Sequence, residues 1–100
     1  MIKHVVMFKS PEEPDNDKKQ MKMAELKLHL ENLPSVIDVI QSFECGININ
    51  QSARSYDLIL ISTFGSPETL QQYQVHPEHL KVVDFIRQNG ITSVVVDYKF

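Results

Sequence analysis

One cysteine, Cys45, occurs in the 100 residues. A lone thiol cannot close an intramolecular disulfide, so no oxidising compartment is implied. Cys45 falls among apolar strand residues, where a cysteine acts as a small buried hydrophobe and not as a reactive thiol. The chain also has no basic excess: its formal charge is −3. The densest basic run, Lys18, Lys19, Lys22 and Lys27, is interleaved with Glu12, Glu13, Asp15, Asp17 and Glu25. That pattern describes a solvated helix face and argues against a nucleic-acid partner, which would need a basic stripe. No apolar run reaches the length of a membrane span, and Met1-Ile2-Lys3-His4 leads into too short an apolar stretch for a signal peptide. No linker rich in proline and glycine divides the chain. A single domain over residues 1–100, cytoplasmic and without a membrane partner, is the expectation.

What is present is an ordinary globular composition, 42% hydrophobic and 23% charged. It suffices for a modest core. Ile2 to Phe8 is short, β-branched and bounded by Ser10-Pro11, and reads as a strand. His4, Val6 and Phe8 share one of its faces, which makes His4 a hydrogen-bonded core histidine. Residues 10–15 form a turn, and Asp15, Asn16 or Asp17 can cap the helix that follows. In that helix Met23, Leu26, Leu30 and Leu33 form one buried stripe, widened by Met21, Ala24 and Leu28. His29 lies beside it, at a boundary or solvent position, and Asn32-Leu33-Pro34 ends the helix.

From Val36 the period changes to two. A long strand is expected, running to about Ile49 with Gly46 as a bulge. Asp57 to Phe64 is a third strand, apolar on both sides: Leu58 and Leu60 alternate with Ile59 and Ile61. Ser66-Pro67-Glu68 starts a helix with a hydroxyl cap, proline at the first position and an acid in the first turn. It carries Leu70, Tyr73 and Val75. His76 precedes a proline, and such a residue is pushed out of the α region, so the helix breaks there and a new one starts at Pro77. The second piece has Leu80, Val83 and Phe85 or Ile86 as apolar positions and is closed by Asn89-Gly90. Thr92 to Phe100 is the last strand, with Val94, Val96, Tyr98 and Phe100 on one face.

The order βαββαβ predicts an α+β fold of the ferredoxin-like type, a four-stranded antiparallel sheet with its helices on one face. The other face would then be bare, yet the third and fourth strands are apolar on both sides. Such a face marks an association surface. A homodimer whose two sheets pack face to face, a dimeric α+β barrel, is therefore expected.

The segment Tyr73-Gln74-Val75-His76-Pro77-Glu78-His79 concentrates the chemistry. On an unbroken helix Tyr73 and His79 would be about 600° apart and face away from each other. The break at His76-Pro77 would let both converge on one cavity. A histidine exchanges protons near neutral pH and a phenol can bond a developing enolate oxygen. Together they suffice for proton abstraction α to a carbonyl without a cofactor. His79 is the candidate base, Tyr73 the group that orients it or stabilises an oxyanion, and His4 and His76 are supporting ligand-binding candidates. The noncatalytic alternative has His76 capping the helix junction, His79 packing on the sheet and Tyr73 bonding a backbone carbonyl. Metal binding is not expected: zinc takes three or four ligands, His4 and His29 are remote in sequence from the His76/His79 pair, and Cys45 is alone.

His4-Val5-Val6, Leu33-Pro34, Gly46, Ser66-Pro67-Glu68, the Tyr-x-x-His-Pro-x-His run from Tyr73 to His79, and Asp97-Tyr98 together carry a resemblance over essentially the whole chain. The sequence resembles the stress-responsive A/B barrel domain family of the dimeric α+β barrel superfamily. The resemblance implies a homodimeric barrel; a small apolar or carbonyl compound is the expected ligand. One branch, the olivetolic-acid-cyclase-like plant enzymes, cyclises a polyketide by an intramolecular aldol reaction. Its tyrosine and second histidine correspond to Tyr73 and His79. Related dimeric barrels also include cofactor-independent monooxygenases and isomerases.

Overall fold

The computed structural model describes residues 1–100. Strand β1 spans Ile2–Lys9, helix α1 Asn16–Glu31, β2 Ser42–Ile47, β3 Leu58–Phe64, α2 Pro67–Gln74, α3 Pro77–Gln88 and β4 Thr92–Lys99. The four strands form one antiparallel sheet in the order β2-β3-β1-β4. The chain has the α+β, ferredoxin-like architecture expected from its element order.

Local chemistry accounts for the element boundaries. The Asp15 carboxylate accepts from the backbone N–H of Asp17 and Lys18 at 3.0 and 3.3 Å, satisfying two donors the helix cannot. Ser66 accepts from the N–H of Thr69, while the Thr69 hydroxyl accepts from the N–H of Ser66, a reciprocal cap at the start of α2. After α3, Gly90 takes φ = 67°, a left-handed conformation that glycine adopts without a Cβ penalty.

Along α1, Met23, Leu26 and Leu30 are buried and continue into Leu33 and Ile37 beyond the helix. Met21 and Leu28 do not widen this stripe. They are exposed, as is Ala24, because each lies about 100° or more around the helix from Met23. The expected strand from Val36 is also shorter than its alternation implied. Leu33–Ser35 makes a 3-10 turn whose Leu33 carbonyl accepts from the N–H of Val36 and Ile37. The chain reaches the sheet only at Ser42. Gly46 is no bulge, since the register from Ser42 opposite Thr63 to Ile47 opposite Leu58 is uninterrupted. On α3 the buried residue is Val82; Leu80 is exposed, about 200° away around the helix. Val75, past the end of α2, is exposed as well.

The register decides which face of the sheet each residue joins. Ile2, His4, Val6 and Phe8 of β1 and Leu58, Leu60, Ser62 and Phe64 of β3 are buried beneath the helices. The opposite face carries two apolar rows across three strands: Ile61, Val5 and Val96, then Ile59, Met7 and Val94. No part of the chain covers these rows, and Val96 is 62% exposed. Every residue of β4 is exposed, including Val95 on the helix side, because no helix extends over this edge strand.

At the far end of β3, Asp57 is buried and fastens the β2–β3 connection to the start of α1. Its carboxylate accepts from the Ser10 N–H at 2.7 Å and meets the Lys19 ammonium at 2.8 Å. The site described below lies at the other end of β3, where it runs into α2.

Candidate functional site

His76 ends one helical piece and caps the next. Its Nδ1 accepts from the backbone N–H of Glu78 at 3.1 Å, so in the neutral ring the proton sits on Nε2. Pro77 occupies the first position of α3. This junction turns His79 back toward α2, and its ring centroid lies 4.4 Å from that of Tyr73. The two rings meet as the helix break allows, but the cavity on which they were expected to converge is not among the larger clefts, none of which Tyr73 or His79 lines.

His79 is half-buried, and its Nδ1 is 3.0 Å from the carbonyl oxygen of Gln74. A carbonyl can only accept, so Nδ1 carries the proton and donates, leaving Nε2 with a free lone pair in the neutral ring. Burial lowers the imidazole below its ordinary pKa. The hydrogen bond to the Gln74 carbonyl opposes this, and the neighbouring His4 and His76 add to it by smaller amounts. His79 is thus held as a neutral base at neutral pH.

Tyr73 is fully buried, with Phe64, Phe43, His4 and His79 around its ring at centroid distances of 5.0, 6.5, 6.1 and 4.4 Å. Its hydroxyl has no hydrogen-bond partner. The backbone bond of the noncatalytic alternative is therefore not made, although His76 does cap the junction as that alternative supposed. Loss of hydration raises the phenol far above its usual range, so Tyr73 is a hydrogen-bond donor that stays protonated. Cys45, half-buried nearby, is pushed up to about 11 chiefly by burial, which makes it inert as a thiolate nucleophile.

His4 reaches the same cluster from β1. It stands opposite Asp97 in the β1–β4 register, and its Nδ1 meets the Asp97 carboxylate at 2.5 Å. The acceptor there fixes Nδ1 as the donor and frees Nε2 in the neutral ring. Asp97 was not among the residues singled out for chemistry in the sequence, because only strand register places it beside His4. His29 lies outside the cluster, on the exposed side of α1 against Phe85 at a centroid distance of 4.7 Å. No three His, Cys, Asp or Glu side chains gather into a set that could hold a metal ion.

The largest cleft, about 820 Å³, is polar and lies between the β1–α1 and β2–β3 connections, away from Tyr73 and His79. A smaller one of about 310 Å³ opens between α2 and β4; Gln74 and Asp97, the partners of His79 and His4, are in its wall.

The arrangement places a neutral imidazole beside a phenol that has no hydrogen-bond partner. Comparison with known proteins places it among similar folds. The chain is 29% identical to the stress-response A/B barrel domain-containing protein HS1 of Arabidopsis thaliana, over 98% of this chain and 88% of that protein. It is 27% identical to olivetolic acid cyclase of Cannabis sativa, over 97% and 94% of the two chains. A dimeric protein of ferredoxin-like fold from Bacteroides fragilis superposes with a TM-score of 0.87 at 30% identity, over 99% of this chain and 95% of that one. The profile of the stress responsive A/B barrel domain matches residues 2–100, from the first strand to the last residue. With the domain profile matched over residues 2–100 and the ferredoxin-like architecture shared with the Bacteroides fragilis protein, the chain belongs to the stress-responsive A/B barrel domain family.

Proposed function

We propose that this protein is a homodimer, each subunit binding a small apolar carbonyl compound between sheet and helices at Tyr73 and His79. One observation carries the reading: a fully buried tyrosine hydroxyl is left without a partner beside a half-buried imidazole. A buried hydroxyl without a hydrogen bond costs about 1–3 kcal/mol, and a ligand carbonyl accepting from Tyr73 would remove that cost. His76 and His4 support the site, the first by setting the start of α3 and the second by edging onto the Tyr73 ring while tied to Asp97. Pairing through the outer sheet face is favoured by the Ile61–Val5–Val96 and Ile59–Met7–Val94 rows. The dimeric description of the Bacteroides fragilis neighbour supports it too. A cytoplasmic location goes with the single free thiol.

The state of His79 favours a second reading, catalysis without a cofactor. Its free Nε2 can take a proton α to the bound carbonyl while Tyr73 donates to the oxygen on which negative charge develops. Olivetolic acid cyclase, at 27% identity, lends this reading support from a relative named for a cyclisation.

Titration of the ¹⁵N-labelled protein with acetophenone and 2-butanone tests binding. Shifts confined to Tyr73, His79 and their neighbours, weakened at least tenfold in Tyr73→Phe, are expected. Equal binding by Tyr73→Phe would remove the basis of the reading. Catalysis is followed by deuterium incorporation into the acetophenone methyl group in D₂O. Wild-type protein should accelerate it and His79→Ala should not.

A further inference from the structure

We infer that the polar cleft between the β1–α1 and β2–β3 connections is a second ligand site, one that takes a neutral polyhydroxylated compound such as a mono- or disaccharide. It lies at the end of β3 remote from Tyr73 and His79 and does not depend on the reading of that site. Its volume of about 820 Å³ falls within the range of about 300–1,000 Å³ for small-molecule sites.

Bonds within the chain hold its walls. Asp57, buried where β3 begins, accepts from the Ser10 N–H and pairs with Lys19, tying the β1–α1 connection and α1 to the sheet. In the other wall the Asn48 amide donates to the Asn50 carbonyl at 2.6 Å and to the Ser55 hydroxyl at 3.2 Å. The Asn48 side-chain oxygen accepts from the Asn50 N–H at 2.9 Å. The Asn48 backbone N–H donates to the Asp57 carbonyl at 2.9 Å and joins the two walls. A ligand therefore meets an ordered cleft, and the entropy of fixing these loops is not charged to binding.

Asn16, Gln20 and Gln51 take no part in this frame and are exposed in the cleft. Asn16 and Gln20 are four residues apart on one face of α1, and Gln51 is on the facing loop. A carboxamide offers donors and an acceptor side by side, which matches a pair of hydroxyls on adjacent carbons. Charge narrows the class further. Lys19 is committed to Asp57, and the Glu13 carboxylate accepts from the Asp15 N–H at 3.0 Å at the start of α1. The remaining charged groups of the lining, Lys9 and Glu12, offset each other, so neither an anion nor a cation is favoured. A metal ion lacks a set of ligands here as elsewhere in the chain. Ile49, 96% exposed, and Pro11 supply apolar surface for the C–H face of a sugar ring.

Titration of the ¹⁵N-labelled protein with D-glucose and maltose tests the assignment. Amide shifts that saturate are expected at residues 9–20 and 48–57, with Tyr73 and His79 unmoved. Gln20→Ala and Gln51→Ala change exposed positions on facing walls and leave the frame intact. Each should weaken binding about two- to tenfold, the worth of one hydrogen bond. If one variant fails to fold, the other decides. D-glucose 6-phosphate and D-glucosamine should bind no more tightly than D-glucose. Shifts that do not saturate or that spread over the whole surface overturn the site, as does binding that the folded variants leave unchanged. Tighter binding of either charged sugar overturns the assignment of a neutral ligand.

Discussion

The rings of Tyr73 and His79 lie 4.4 Å apart although their six-residue separation would set them on different faces of a continuous helix. The junction between them is held by His76, whose Nδ1 accepts from the Glu78 N–H, and by Pro77. Geometry at the site thus depends on a capping interaction outside it.

Replacing His76 by alanine removes that cap. The expected cost is about 1 kcal/mol of stability, measured by urea unfolding. His76→Asn, which can cap through its side-chain oxygen, should recover most of it. Full stability of His76→Ala would show that the proline alone sets the junction.

Tyr73→Phe is expected to stabilise the protein. The hydroxyl is buried without a partner, so its removal relieves an unmet desolvation cost of about 1–3 kcal/mol while leaving the ring contacts with Phe64 and His79 intact. The same substitution should weaken ketone binding at least tenfold. A melting temperature lower than that of wild type would mean that the hydroxyl is satisfied in solution.

Acid should weaken the fold through His79. Its folded-state pKa lies below the ordinary value of 6.5, mainly through burial. Between the two values the unfolded chain binds the proton and the folded chain does not, so unfolding free energy rises with pH across that window. Stability is fully retained above about pH 6.5, declines as pH falls below it, and stops declining from this source once the folded-state pKa is passed. His79→Gln should flatten the dependence of melting temperature on pH between 7 and 5, a window set by the same linkage. An unchanged slope would assign the effect to another group.

Ile61→Asp puts a carboxylate in the middle of the row formed with Val5 and Val96 on the uncovered sheet face. Light scattering at micromolar concentration should give twice the 11.5 kDa chain mass for wild type and the single-chain mass for the variant. Circular dichroism checks that the variant keeps its secondary structure. A monomeric wild type would rule out the dimer outright.

Much of this was legible in the residues. The two prolines after Ser66 and His76 mark helix starts because proline is already set in φ for the first helical turn and has no N–H to lose. The alternation in β1 and β3 and the stripe Met23, Leu26, Leu30 follow from the fixed periods of strand and helix. Reading α3 from His79 would have brought out Val82, since His79, Val82 and Phe85 or Ile86 recur at helical spacing. Alternation misled at Val36–Gln41, where the 3-10 turn at Leu33–Ser35 takes up the chain before any strand partner is in reach.

The sequence by itself determined the element order, the broken helix and the meeting of a tyrosine with a histidine, because each depends on interactions within a few residues. Tertiary structure decided the rest. Which side of β3 is left for a partner is set by strand register, which turns Leu58, Leu60 and Ser62 inward and Ile59 and Ile61 outward. The same register brings Asp97 to His4 across 93 residues. Whether the Tyr73 hydroxyl finds a partner depends on every group packed around it, and such long-range contacts are not encoded in local spacing.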